Sequence, residues 1–252
     1  MEQQTATSQE SIAFLKRVLW YSLPFWLLGM LNTVFAAAIP IQLPISALMA
    51  FCPVIAAWKM EPFRQKQYLT DLKTLPLIGY ATSLLTMPLL ALLTYGWMVW
   101  LNRSLPALEI ALLPTSVFIV VFLLGAWGEE AGWTGYLLPR LSEQFGAIRA
   151  GLILGSIWGF WHLIPYLQAG RSWNWIAWQI LGSIALRVGM TWAYVHFRRS
   201  RIWAIIFHAM INMSAFLFPR MGSHYDPMLM AILQIILAVA AIWALIWQPT
   251  SE

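Results

Sequence analysis

Two adjacent carboxylates, Glu129 and Glu130, lie inside an otherwise apolar run of this chain. Residues 117–124 before the pair and residues 136–138 after it are apolar, so a helix through this run carries both carboxylates to membrane depth. A charged side chain near the centre of a bilayer costs roughly 2.5–3.5 kcal/mol on insertion scales. A pair of such groups needs compensating contacts, and it is therefore the first candidate for a functional site.

Four further polar residues fall within predicted membrane helices: His162, Arg187, His208 and Asn212. His208 and Asn212 are four residues apart and share one helix face. A poorly solvated carboxylate can take a proton from water and return it to a leaving amine, and a neutral histidine can position that water. A second histidine with an asparagine can donate hydrogen bonds to an oxyanion. Such a set suffices to hydrolyse an amide without a Ser or Cys nucleophile.

The composition places these residues in a membrane protein. Of 252 residues, 60% are hydrophobic and 10% are charged, whereas soluble domains carry roughly 25% charged residues. We therefore predict an all-α, polytopic membrane protein. The net charge of +5 is spread over short loops, which argues against a nucleic-acid partner. Cys52 is the only cysteine, which excludes an intrachain disulfide and a thiolate metal cluster.

The hydropathy pattern predicts a single membrane domain over residues 18–247, with a polar tail at 1–17 and a short tail at 248–252. Pro40 and Pro44 mark an early turn, and Pro139 is the expected end of the fourth helix. The first helix resembles a signal peptide, but its apolar run exceeds the usual ~7–15 residues, so we expect it to remain uncleaved. The eight predicted helices cover residues 18–39, 43–58, 75–101, 114–138, 147–167, 173–197, 202–218 and 228–247.

Lysine and arginine are distributed unevenly over the predicted loops. Eleven lie on one side of the membrane and three on the other, while Arg187 falls inside the sixth helix. Because cytoplasmic loops carry an excess of Lys and Arg, both termini are predicted to be cytoplasmic. A compact chain of this kind suits the bacterial inner membrane, with the lipid bilayer as its first partner.

Taken together, three polar segments resemble the motifs of the CPBP family of intramembrane proteases. This family includes the CAAX prenyl endopeptidases and the abortive-infection and bacteriocin-processing proteins. Its motifs are EExxxR, FxxxH and HxxxN or HxxxD on successive helices. Glu129-Glu130 resembles the first, Phe160-Trp161-His162 the second, and His208 with Asn212 the third. The resemblance covers residues 110–218, the predicted catalytic core.

The resemblance implies a role for each of these residues. Glu129 would activate water together with His162, His208 and Asn212 would stabilise the oxyanion, and Glu130 would support the site. The implied substrate is a membrane-embedded or lipidated peptide. Members are often labelled metallopeptidases, and two histidines and a glutamate could ligate zinc. The chain lacks the HExxH spacing, so the metal question stays open.

Two positions depart from the family pattern. Thr134 stands where EExxxR has arginine, and Trp158 stands where the aromatic residue four positions before His162 is phenylalanine. The first change removes a cation that could partner a carboxylate, and we hypothesise that Arg187 substitutes for it. The change at Thr134 also leaves open that the protein is a non-catalytic family member that binds a partner or confers immunity to a bacteriocin.

Two other interpretations remain open. A proton-coupled transporter would use Glu and His as a relay, but it predicts inverted repeats, which we do not find in the sequence. If the fourth helix ended at Trp127, the carboxylate pair would lie in a cytoplasmic loop. The apolar sequence up to Leu138 argues against that placement.

Overall fold

The computed structural model describes residues 2–35, 45–60, 74–108, 110–219 and 221–247. Within these ranges the chain is helical and contains no β-strand, and a helical segment is present at each of the eight predicted positions. The predicted turn at Pro40 and Pro44, most of the connection between the second and third predicted helices and the tail at 248–252 lie outside the described residues.

The helices follow one another along the chain with short connections. A 3-10 helix, Ile45–Phe51, precedes α2, and a π-helical segment, Trp133–Leu137, joins α4 to α5. The α-helices of the described ranges are α1 (Glu2–Val34), α2 (Cys52–Trp58), α3 (Leu77–Trp100), α4 (Leu112–Gly132), α5 (Leu138–Phe145), α6 (Ala147–Trp161), α7 (Leu163–Gln168), α8 (Trp173–His196), α9 (Arg201–Leu217) and α10 (Pro227–Ile246).

Four helical segments of the described chain are long and apolar enough to cross a membrane. They are Leu77–Trp100, Leu112–Phe145, Ala147–Gln168 and Pro227–Ile246. Large apolar side chains such as Leu113 and Ile236 are exposed on their outer faces. Apolar exteriors around a polar centre are what a bilayer environment requires. The prediction of an all-α, polytopic membrane protein is confirmed.

The fourth predicted helix does not end at Pro139, contrary to expectation. Pro139 lies in the first turn of α5, and the helical run continues to Phe145. A proline cannot donate a hydrogen bond to the preceding turn and clashes with it, and the π-helical turn over Trp133–Leu137 accommodates this defect. The carboxylate pair therefore lies in the middle of a continuous run of 34 residues, and not in a loop.

The polar N-terminal segment, expected to form a tail, is instead the first part of α1. Phe14 is fully buried and stacks on Tyr136 with a centroid separation of 4.9 Å. Glu10 accepts a hydrogen bond of 2.9 Å from Nε of Arg140. This segment is therefore packed against the π-helical segment and α5.

Glycines allow the central helices to approach closely. Helix α6 packs on α8, and α9 packs on both α3 and α4. A Cβ atom added at Gly155 would lie 2.7 Å from Cα of Ile184, and one at Gly132 would lie 2.5 Å from the carbonyl oxygen of Pro53. Small residues at such contacts are typical of membrane helices. These contacts place α4, α6, α8 and α9 around one polar centre.

Candidate active site

Glu130 is fully buried at this centre, and its two oxygens accept four hydrogen bonds. Arg187 on α8 donates from Nη1 to Oε2 and from Nη2 to Oε1, each over 2.8 Å. His208 on α9 places Nδ1 2.7 Å from Oε1, and the Thr134 hydroxyl donates to Oε2. An ionised carboxylate has about four acceptor positions, so the bonding capacity of Glu130 is filled.

Glu129 has one oxygen held by the protein and the other directed at the two histidines. The indole nitrogen of Trp158 donates to Oε2 over 2.7 Å. Oε1 lies 3.9 Å from Nε2 of His162 and 4.0 Å from Nε2 of His208. These separations exceed direct hydrogen bonds but lie within reach of one intervening water. The two adjacent glutamates are therefore in different environments.

Hydrogen-bond partners assign the tautomers of both histidines. Nδ1 of His162 lies 2.8 Å from the carbonyl oxygen of Trp158, which can only accept. Nδ1 of His208 faces Glu130, whose carboxylate is paired with Arg187 and also accepts. A hydrogen therefore resides on each Nδ1, and both Nε2 atoms are directed toward Glu129.

His162 occupies a break between α6 and α7. Its backbone has φ −84° and ψ −3°, and its N–H donates over 3.3 Å to the carbonyl of Gly159. Pro165, which lacks an N–H, follows within the next turn and cannot bond the carbonyl of Trp161. The His162 ring packs between Trp161 and Tyr166, at centroid separations of 4.8 and 5.8 Å. The sequence thus fixes this histidine at a helix end.

Trp158 connects the two carboxylates. Its N–H holds Glu129, and its ring lies under the guanidinium of Arg187, with Cζ 4.2 Å from the ring centroid. Arg187 is 1% exposed, so its charge is removed from water and compensated by Glu130 and the Trp158 ring. Arg187 therefore occupies the cationic role that the Thr134 departure had left open.

The structure brings the predicted residues together around one cavity of about 510 Å³. Glu129, His162, His208 and Asn212 line this cavity, whereas Glu130 lies behind them without exposed surface. Two further contributions were not predicted from the sequence: the hydrogen bond from Trp158 to Glu129 and the place of Arg171 on the cavity wall. The four-residue spacing from Trp158 to His162, which puts both on one helix face, was the sequence signal that could have indicated the hydrogen bond from Trp158.

The zinc question can be tested on the residues present. Within the described chain, no group of three or more His, Cys, Asp or Glu side chains is arranged to hold a metal ion. Oε1 of Glu129 lies 3.9 Å from Nε2 of His162 and 4.0 Å from Nε2 of His208. The donor set therefore gives no support for a metal site, and we derive no step through a metal.

These features define a class: a polytopic all-α membrane protein with a buried carboxylate–histidine cluster beside a cavity. Residues 110–214 match the family model described as type II CAAX prenyl endopeptidase Rce1-like, and this match supports the resemblance to the CPBP family of intramembrane proteases. It is similar to CAAX prenyl protease 2 of Methanococcus maripaludis, with 29% identity over 160 residues. That match covers 58% of this chain and 57% of the relative, less than two thirds of its length.

Proposed function

We propose that this protein is an intramembrane endopeptidase in which Glu129 activates water to hydrolyse a peptide bond. The observation that carries this proposal is the placement of Oε1 of Glu129 3.9 Å and 4.0 Å from Nε2 of His162 and His208 at a cavity wall. The substrate class is a membrane-embedded or lipidated peptide, following the name of the archaeal relative.

The first step uses Glu129 and His162. Trp158 holds Oε2, which leaves Oε1 free to accept a proton from a water between Glu129 and His162. With its hydrogen on Nδ1, neutral His162 offers Nε2 as a second acceptor that orients this water. The oxygen of the water attacks the peptide carbonyl carbon, and Glu129 then delivers the proton to the leaving nitrogen.

The oxyanion that forms needs hydrogen-bond donors directed into the cavity. Because Nδ1–H of His208 is directed at Glu130, only the imidazolium also presents an Nε2–H toward the cavity. This N–H and the side-chain amide of Asn212, which lines the same cavity, are the proposed oxyanion donors.

The Thr134 departure leaves open a non-catalytic family member. In the proposal, Arg187 supplies the cation from α8, and the Thr134 hydroxyl adds a further hydrogen bond to Glu130. The departure therefore no longer argues against catalysis.

The experiment that tests the function is peptide cleavage by the purified protein in detergent. The panel contains S-prenylated CAAX peptides and unmodified transmembrane peptides, and mass spectrometry detects the products. We expect the parent to cleave at least one class, and both Glu129→Ala and His162→Ala to lose at least about 100-fold in rate.

A matched control is Glu143→Ala, which removes an exposed carboxylate from α5. It should cleave as the parent does. Cleavage by Glu129→Ala at the parental rate, or no cleavage of any peptide by the folded parent, would contradict the proposal.

A further inference from the structure

Arg171 lines the cavity of the candidate active site, and its side chain is exposed. It lies between α7 and α8, with its Cζ 4.9 Å from the ring centroid of Trp175. Among the described residues, the ion pairs of Arg103, Arg140 and Arg187 are made with Asp226, Glu10 and Glu130, and no carboxylate pairs with Arg171.

The cavity therefore has opposite charges at two places on its wall. Among its described lining residues, Glu129 is the carboxylate and Arg171 is the arginine, and most of the remaining wall is aromatic or aliphatic. An unpaired guanidinium stacked on an aromatic ring is a ready binding group for a carboxylate, which it can contact with two N–H groups.

A continuous row of side chains connects the two ends. The ring centroids of His162 and Tyr166 are 5.8 Å apart, those of Tyr166 and Trp175 are 5.3 Å apart, and Arg171 follows at 4.9 Å. The guanidinium is thus within about 16 Å of the His162 ring, which four or five residues of extended peptide span at roughly 3.3–3.6 Å each.

We infer that Arg171 binds a carboxylate of the substrate peptide, at most about five residues from the bond that Glu129 attacks. This inference rests on the proposed function for the position of that bond. The carboxylate belongs either to a free C-terminus or to an acidic side chain, and the two share the same chemistry at a guanidinium.

The test measures binding, so that it does not depend on turnover. The protein is full-length Glu129→Gln in detergent, and the probes are fluorescent peptides with S-farnesylcysteine followed by three apolar residues. One probe ends in a free acid, the second in an amide, and the third in an amide after a terminal glutamate. We expect the free acid to bind roughly tenfold more tightly than the amide, as for a hydrogen bond to a charged group.

Adding Arg171→Gln should reduce the ratio of the affinity for the free-acid probe to the affinity for the amide probe to near one. Arg171→Lys should retain part of this acid-to-amide ratio. Arg149→Gln, which removes an exposed arginine from the first turn of α6, is the matched control and should keep the full ratio. The third probe carries a side-chain carboxylate but no free C-terminus. If it binds as tightly as the free acid, Arg171 accepts any nearby carboxylate; if it binds as weakly as the amide, Arg171 selects the C-terminal carboxylate.

The inference is overturned if acid and amide bind equally, if Arg171→Gln leaves their ratio unchanged, or if no probe binds. Thermal unfolding of each variant verifies that the fold is intact. Cleavage by the parent is measured separately: a retained ratio without cleavage contradicts the proposed function alone, and cleavage with a ratio of one contradicts the Arg171 site alone.

Discussion

Glu130 and Arg187 form a two-pronged ion pair at membrane depth, with both Nη–Oε distances at 2.8 Å. The arginine comes from α8, whereas the family motif has its arginine one turn after the carboxylates, at the position of Thr134. The threonine hydroxyl donates to the same carboxylate. Arg187 and Thr134, which lie on different helical segments, thus bond the same carboxylate.

Arg187→Met is expected to destabilise the protein by roughly 3–5 kcal/mol, because it leaves Glu130 buried without its counter-ion. Adding Thr134→Arg to Arg187→Met returns a cation to the family position and should recover much of this loss. Thermal unfolding in detergent measures both effects. Thr134→Arg alone should destabilise, because it crowds a buried position that Arg187 already serves. If the double variant is as unstable as the sum of the two single variants, the two positions are not exchangeable.

Trp158→Phe is expected to lower kcat about tenfold or more with little change in KM. It removes the N–H that holds Oε2 of Glu129 but keeps an aromatic ring beside Arg187. Steady-state cleavage kinetics measure the change. Trp161→Phe is the matched control, because its N–H donates to Ser22 instead. Equal losses in the two variants would contradict a specific role for the Trp158 indole.

Much of the helical layout follows from the sequence. Residues 173–197 and 228–247 were predicted helices, and the structure has Trp173–His196 and Pro227–Ile246. Continuous apolar runs bounded by polar or breaking residues leave little freedom in such assignments. The prediction that the fourth helix ends at Pro139 is wrong, because a π-helical turn before a proline leaves no local signal in the sequence pattern.

The sequence suggests that Glu129, His162 and His208 lie close together, but it does not give the distances between them. Counting a rise of about 1.5 Å per residue gives Glu129, His162 and His208 different depths, because it treats each helix as straight and upright. In the structure Glu129 lies 3.9 and 4.0 Å from the two histidines. The break at His162 has a local cause in Pro165, but the packing of α6 on α8 and the contact of Trp158 with Arg187 are tertiary features.

Gly132→Ala is expected to destabilise the protein by roughly 1–3 kcal/mol and to reduce activity, because overpacking displaces neighbouring backbone. Gly132 lies in the helical turn that follows Glu129, and its added Cβ would lie 2.5 Å from Pro53 of α2. Gly125→Ala on the same helix is the control, since the nearest atom to its added Cβ is 3.8 Å away. Thermal unfolding compares the two variants. Similar unfolding temperatures would contradict the tight contact of α4 with α2.

Membrane orientation can be tested with single-cysteine variants, because Cys52 is the only cysteine and is buried. In a Cys52→Ala background, Ser172→Cys should react with a membrane-impermeant thiol reagent in intact cells. Glu143→Cys, near the basic loops, should react only after the membrane is opened. Arg171 lines the cavity and precedes Ser172 in the chain, so this result would also place the Arg171 side of the cavity toward the non-cytoplasmic face of the membrane. The reverse pattern would contradict the predicted cytoplasmic termini.

The central claim is that the two adjacent glutamates have separate roles, with Glu129 in the chemistry and Glu130 in the support of the site. The most direct measurement compares Glu129→Gln with Glu130→Gln for peptide cleavage and thermal unfolding in one detergent. We predict that Glu129→Gln unfolds near the parental temperature and loses at least about 100-fold in cleavage rate, whereas Glu130→Gln unfolds at a clearly lower temperature. Parental cleavage by folded Glu129→Gln would contradict the account.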